Sequence, residues 1–332
     1  MLKPPTRTSY HTNPRHLLLA SQIFQQFLLH RASSSSTACQ IWPCSHPSHR
    51  FPTCHFHNHH EAAHRALVQS GSVFASRPPA LETSRILFSN QHTLTTAPYG
   101  SLWRLLRRNF ISVTHPSRLH LYSHGRKWAL EILKKKLVEE AESSDEKAFP
   151  VIGHFQHAMF CLLAYMEDCV QEDVETAFTD SWRSRNVLLP LIKARREKHK
   201  NIINKEEPIF SYVDSLLDLR LPDGEREFLD GELVSLCSEF INGGTDTSTT
   251  TLQWVMANIV KQENIQNKLL KEINTVTEAG SEIQEKDLKR MPYLKAVVLE
   301  TLRRHPPGHF ILPRAVTEDM KFDGYDIQRM QW

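Results

Sequence analysis

Phe240-Ile241-Asn242-Gly243-Gly244-Thr245-Asp246-Thr247-Ser248 is the most informative stretch of this 332-residue chain. The apolar period around it predicts one long helix reaching about Lys261, with Asp230 as its N-cap. Two adjacent glycines inside a helix cost about 1 kcal/mol each against Ala. A run of hydroxyl residues, Thr247 to Thr251, follows them. Such a sequence makes a poor rod but a helix with a locally open face. Gly243 and Gly244 let a ligand approach the backbone, and a Thr247 hydroxyl beside the Asp246 carboxylate can hold water and relay protons. A close helix–helix crossing at the glycines explains them as well, so on this stretch alone both readings stand.

Working outward, Pro292 opens a helix that ends at Arg304, before His305-Pro306-Pro307. Glu300 and Arg303, at i and i+3, share a face and can pair. The apolar neighbours Ala296, Val297, Val298, Leu299 and Leu302 predict that this helix is largely buried and that the pair anchors a network. Upstream, Trp103 and Arg107 are i, i+4 neighbours on a basic helix over 102–110. An indole N–H and a guanidinium on one face are donors without acceptor capacity and suit a bound carboxylate; on this motif alone, a Trp–Arg stacking pair on a solvated helix is the simpler reading. Further helices are expected over 61–70, 117–142, 149–165, 187–204 and 264–278, and a turn or two within 208–221. Lys134–Lys136 reads as a solvated face. Strand-like periods appear only near the C-terminus, at Phe310–Leu312, Arg314–Val316, Met320–Phe322 and Tyr325–Ile327, with Asp323-Gly324 as a hairpin turn. The fold class is mainly α with a small β-hairpin region.

Composition bounds the class. An apolar fraction of 40% supports a sizeable core. The net charge of +3 is unevenly spread. Residues 1–60 hold five basic residues (Lys3, Arg7, Arg15, Arg31, Arg50) and no Asp or Glu. Removing those five from 40 Lys+Arg leaves 35 against 37 Asp+Glu. The basic balance therefore belongs to one segment and is no argument for nucleic acid. That segment, rich in Ser, His, Pro and Thr, is expected to be a disordered leader ahead of a domain over 61–332. A transit peptide, a metal site on Cys54 and its histidines, and sequence foreign to the domain are its three readings; we favour the last. The six cysteines form no CxxC pair, which suits a reducing compartment. No run reaches the 18 or so apolar residues of a membrane span.

Taken together, these motifs resemble the cytochrome P-450 family, most closely the plant microsomal haem-thiolate monooxygenases of family 89. His64-Arg65-Ala66-Leu67-Val68-Gln69 and Phe74-Ala75-Ser76-Arg77-Pro78-Pro79 look like that family's second helix and following loop. Trp103 and Arg107 match its W-x-x-x-R helix, Gly243 to Ser248 its [AG]-G-x-[DE]-T-[TS] helix, and Glu300 and Arg303 its E-x-x-R helix. Arg314 matches a position that often reaches a haem propionate. The resemblance implies haem b held by Trp103, Arg107, Gly243, Gly244 and Arg314, with Asp246 and Thr247 as catalytic proton carriers and Glu300–Arg303 as structural residues. It implies O₂ and NADPH-derived electrons from a partner reductase, a small organic substrate, and the endoplasmic reticulum membrane. The family's F-x-x-G-x-R-x-C-x-G motif, with the axial cysteine, is not found in the sequence, so no metal ligand is assigned. Neither is the family's N-terminal anchor, which leaves a soluble or peripheral chain open. Residues 167–185 look shortened against the family. The expectation is a truncated, inactive member that forms no thiolate-ligated haem. The rival is a non-catalytic helical scaffold, which would take up no haem.

Overall fold

The computed structural model describes residues 60–80, 89–143, 185–202, 211–222, 224–277, 283–308 and 311–329. The expected leader, the 149–165 helix and the 167–185 stretch lie outside the described residues. Among the described residues the helices are α1 (His60–His64, continued by a wider turn over Arg65–Gln69), α2 (Ser101–Thr114), α3 (Ser123–Ser143), α4 (Arg185–Ile202), α5 (Tyr212–Leu217), α6 (Asp230–Lys261), α7 (Glu263–Val276) and α8 (Pro292–Arg304). The strands β1 (Met320–Phe322) and β2 (Tyr325–Ile327) pair antiparallel, with Phe322 opposite Tyr325. Their turn places Asp323 and Gly324 at φ 49° and 85°, the left-handed pair that a two-residue hairpin requires. The mainly helical class with a C-terminal hairpin is thus the observed one.

Two compact units divide the chain. One gathers the described residues of Tyr122–Leu162 and Thr245–His305; the other gathers those of Ser34–Leu121, Leu163–Gly244 and Pro306–Trp332. Helix α6 contributes to both. In the first unit α3 presents Ala129, Leu130, Leu133 and Leu137, and Leu252, Val255 and Ile259 of α6, Leu269 and Ile273 of α7, and Leu294 and Val298 of α8 complete the core. These spacings of three, four and seven are the stripe of a half-buried helix. Lys134 and Lys135 pair with Glu131 and Glu139 on the opposite face, as read from the sequence. Pro292 starts α8, and the Glu272 carboxylate of α7 accepts the next two backbone N–H groups, from Tyr293 and Leu294, at 2.7 and 2.8 Å.

In the second unit, Phe110 of α2, Tyr212 of α5 and Phe240 of α6 meet at ring distances of 5.0 to 6.1 Å. Ser211 caps α5 by accepting the Asp214 N–H at 3.1 Å. Ala62, Ala66, Val316, Phe322 and Ile327 form a smaller core beneath the hairpin, with Phe74 edge-on to Phe322 at 5.2 Å.

Three expectations need correction. Asp230 does not cap α6: Leu229 holds the cap position, its carbonyl accepting from Glu232 and Leu233, and the Glu232 carboxylate returns the bond to the Leu229 N–H at 2.8 Å. Asp230 instead accepts a 2.6 Å bond from Arg196. Residues 311–316 form no strand of their own, because Pro313 cannot donate; Ala315 alone bridges to Ser76. Helix α8 is only half buried. Leu294, Val298 and Thr301 face the core, while Leu299, Glu300 and Arg303 face outward.

Candidate functional site

The conformation around the Ser76–Ala315 bridge brings together residues far apart in sequence. Arg77 precedes Pro78, which biases it to extended backbone and suits it to run beside a second extended segment. The Ala315 N–H donates to the Ser76 carbonyl at 2.9 Å. On either side of that bond an arginine crosses to the opposite chain. Arg77 Nη1 donates to the Leu312 and Pro313 carbonyls at 3.3 and 2.9 Å. Arg314 Nη1 donates to the Phe74 carbonyl at 3.2 Å. The two guanidinium groups therefore lie on one small frame. Burial first, and then the charge of Arg314, push the Arg77 pKa down; Glu239 acts the other way. Arg77 Nε is buried with no hydrogen-bond partner. A frame that holds two cations is suited to an anionic carboxylate.

The same frame reaches the Trp103 helix. The Tyr99 N–H donates to Ser76 Oγ at 3.4 Å, and the Tyr99 ring lies 5.4 Å from that of Trp103. Helix α2 buries Leu106, Asn109 and Val113, and leaves Trp103 half-buried and Arg107 exposed. The cation seated over an aromatic ring is Arg104, 5.5 Å from Tyr99. Arg77, Trp103, Arg107 and Arg314 thus belong to one unit of the fold. Sequence reading singled out the last three and passed over Arg77, whose one local signal is its place before Pro78-Pro79.

Helix α6 runs unbroken through its glycines. A Cβ built on Gly243 meets no atom within 4 Å. Among the described residues nothing packs against this glycine, so a close helix crossing does not account for it. Exposed Asp246 and half-buried Thr247 occupy the next turn, and the Thr247 carbonyl accepts the Thr251 hydroxyl at 2.9 Å. Gly243→Ala is expected to raise stability by about 1 kcal/mol, the helix-propensity difference, measured as a higher urea midpoint. A lower midpoint would mean that the position is packed.

Glu300 and Arg303 form a bidentate pair, both contacts at 2.7 Å, but their side chains are 54% and 66% exposed. The expected buried network is not what the described residues show. The bond to Arg303 holds the Glu300 carboxyl below the usual carboxylate range, and in return raises Arg303.

Cys237, on α6, is buried; the other five cysteines lie outside the described residues. Among the described residues no cluster of His, Cys, Asp or Glu could hold a metal ion, and no helix is long and apolar enough to cross a membrane.

Sequence and fold comparisons bear on the family of the chain. Residues 155–329 match the cytochrome P450 family model. Cytochrome P450 89A9 of Arabidopsis thaliana is 39% identical over 310 residues, covering 80% of this chain and 60% of that protein. An isoflavone 2'-hydroxylase of Medicago truncatula is 26% identical over 302 residues, covering 79% of this chain and 60% of that protein. The chain thus spans about 60% of the length of the curated relatives it matches. Among solved structures, a zebrafish cytochrome P450 with progesterone superposes with a TM-score of 0.66 at 17% identity, covering 96% of this chain and 78% of that one. That last likeness speaks for the fold alone. The matched family model, the family-89 relative and the shared fold make this chain a member of the cytochrome P450 family.

Proposed function

We propose that this chain is the haem-holding part of a monooxygenase that inserts one oxygen atom of O₂ into a small organic substrate, with electrons from NADPH delivered by a partner reductase at the endoplasmic reticulum membrane. The observation that carries it is the crossed-arginine frame at Ser76–Ala315, joined through Tyr99 to Trp103. Haem b is the group the family implies, and the residues present fit its two carboxylates.

When bound, haem supplies the redox centre that activates O₂. The chain's own residues do the rest. Arg77, Arg314, Trp103 and Arg107 bind and orient the two propionates with guanidinium and indole donors. Gly243 and Gly244 keep side chains away from one face of α6, so that a flat ligand can lie near the backbone. Asp246 and Thr247, on the following turn, hold a proton and hand it through the threonine hydroxyl. The Glu300–Arg303 pair holds the end of α8 in shape.

Haem titrated into the purified full chain tests the proposal. One equivalent is expected to bind and give a sharp Soret band. Absence of saturable uptake would sink it. Cys237→Ser is expected to leave that band unmoved, because the Cys237 side chain is buried, 2% exposed. A shifted band would make Cys237 an iron ligand.

A further inference from the structure

A second set of contacts on α6 holds a segment that carries none of the residues assigned to the haem propionates. The segment Ser89–Ala97 is docked along one stripe of this helix. Ser89 Oγ bonds to the Gly231 carbonyl at 2.9 Å and to Ser235 Oγ at 2.6 Å. His92 Nδ1 meets the Glu232 carboxylate at 2.5 Å. The Glu239 carboxylate accepts the Leu94 N–H at 2.8 Å and the Thr95 N–H at 2.6 Å, and also bonds the Thr95 hydroxyl. The next position on that stripe, four residues beyond Glu239, is Gly243.

The segment has its own internal order. Gln91 ties the Pro78 and Thr96 carbonyls together, and Thr93 bonds Thr96 through their hydroxyls at 2.7 Å. Ser89, Asn90 and Gln91 all adopt positive φ, between 44° and 65°. Side chains rarely take this conformation unless their surroundings hold them there. The segment is thus a pre-formed piece, and its height above α6 is set by a few tethers. Glu239 is the tether nearest the glycines, and it alone grips two consecutive backbone N–H groups.

We infer that Glu239 is a positioning residue: it pins the Leu94–Thr95 edge beside the bare backbone at Gly243, and so sets how bulky a molecule can reach that face. This deepens the proposed function, on whose reading of the Gly243 face as open to a bound ligand it rests. The carboxylate suits the task because it accepts from several donors at once, whereas a carboxamide turns a donor of its own toward one of them.

The test uses the full chain and needs no haem. Gly243→Cys puts a thiol where a side chain meets nothing within 4 Å. Its modification by iodoacetamide and by a bulky pyrenyl maleimide is followed by peptide mass spectrometry, with Glu239 intact and as Glu239→Gln. The bulky reagent is expected to react at least fivefold faster in the Glu239→Gln background, and iodoacetamide at an unchanged rate. Hydrogen exchange at Leu94 and Thr95 is expected to rise at least tenfold, with the Leu133 amide of α3 unaffected. Thr95→Val removes a donor from the other partner and leaves the helix untouched; it is expected to shift both readouts the same way, by less.

Faster exchange with an unchanged ratio of reagent rates would make Glu239 purely structural and overturn the inference. Unchanged exchange would overturn it too. A chain that shows the expected labelling pattern yet takes up no haem would refute the monooxygenase reading and leave the Glu239 tether standing.

Discussion

Lowering the pH from 5 to 2 is expected to remove a large share of the stability of the Ser34–Leu121/Leu163–Gly244 unit, and Glu232→Gln is expected to remove most of that dependence. Glu232 is 5% exposed. Burial pushes its pKa up, but hydrogen bonds from Arg226, the Leu229 N–H and His92 outweigh burial and hold it down at about 2, from an ordinary 4.5. A carboxyl depressed by folding stabilises above its unfolded pKa, and that contribution fades as pH falls through the folded value. The window is therefore about pH 4.5 down to 2. Its ceiling is roughly 3 kcal/mol, reduced by whatever solvent screening the site retains. Asp214 acts in the same direction: burial raises it, and bonds from Arg195 and Ser211 more than reverse that. Urea midpoints at half-unit pH steps measure the effect. Parallel curves for the two proteins would show that Glu232 does not titrate as described. At pH 7 the Glu232→Gln protein should start lower, since Arg226, Leu229 and His92 all lose a charged acceptor.

Arg77→Met with Arg314→Met is expected to weaken haem binding by two to three orders of magnitude in a Soret titration. A hydrogen bond to a charged group contributes about 1.5–3 kcal/mol, or roughly ten- to a hundredfold per arginine. The two effects should not simply add. Each cation lowers the affinity of the frame for the other's charge, so losing one relieves its neighbour, and the second loss should cost more than the first. Methionine keeps the packing volume of the arginine stems, which separates charge loss from collapse of the frame. Binding of equal strength in wild type and double variant would exclude this frame as the carboxylate anchor.

The elements that were legible in the sequence are those whose signals are local. Helix α6 from Asp230 to Lys261, the Pro292 start and Arg304 end of α8, and the Asp323-Gly324 turn all carry their own period, cap or breaker. The motifs were legible as residue types at fixed spacing, and Trp103, Arg107, Gly243 and Arg314 fall in a common unit. What was not legible depends on partners distant in sequence. Arg77 gains its meaning from carbonyls 235 and 236 residues away. Glu239 gains its own from Leu94 and Thr95, some 145 residues away. The apolar letters around Glu300 suggested burial, but the side of α8 bearing Leu299 faces outward. Periodicity gives a helix's stripe and does not give the number of neighbours that cover it. Asp230 was misassigned because Asp and Glu near a helix start are interchangeable by composition. The Arg196 contact of Asp230 and the Leu229 contact of Glu232 decide which one caps.

The bridge between Ser76 and Ala315 also sets an order of events. It joins segments of chain that emerge from the ribosome far apart in time, and the Arg314–Phe74 bond spans 240 residues. Contacts of such separation carry the highest closure entropy and form late. The crossed-arginine frame therefore does not exist in a nascent chain, however well its early helices have formed. A chain released before residue 312 would expose Arg77 with nothing to cross to.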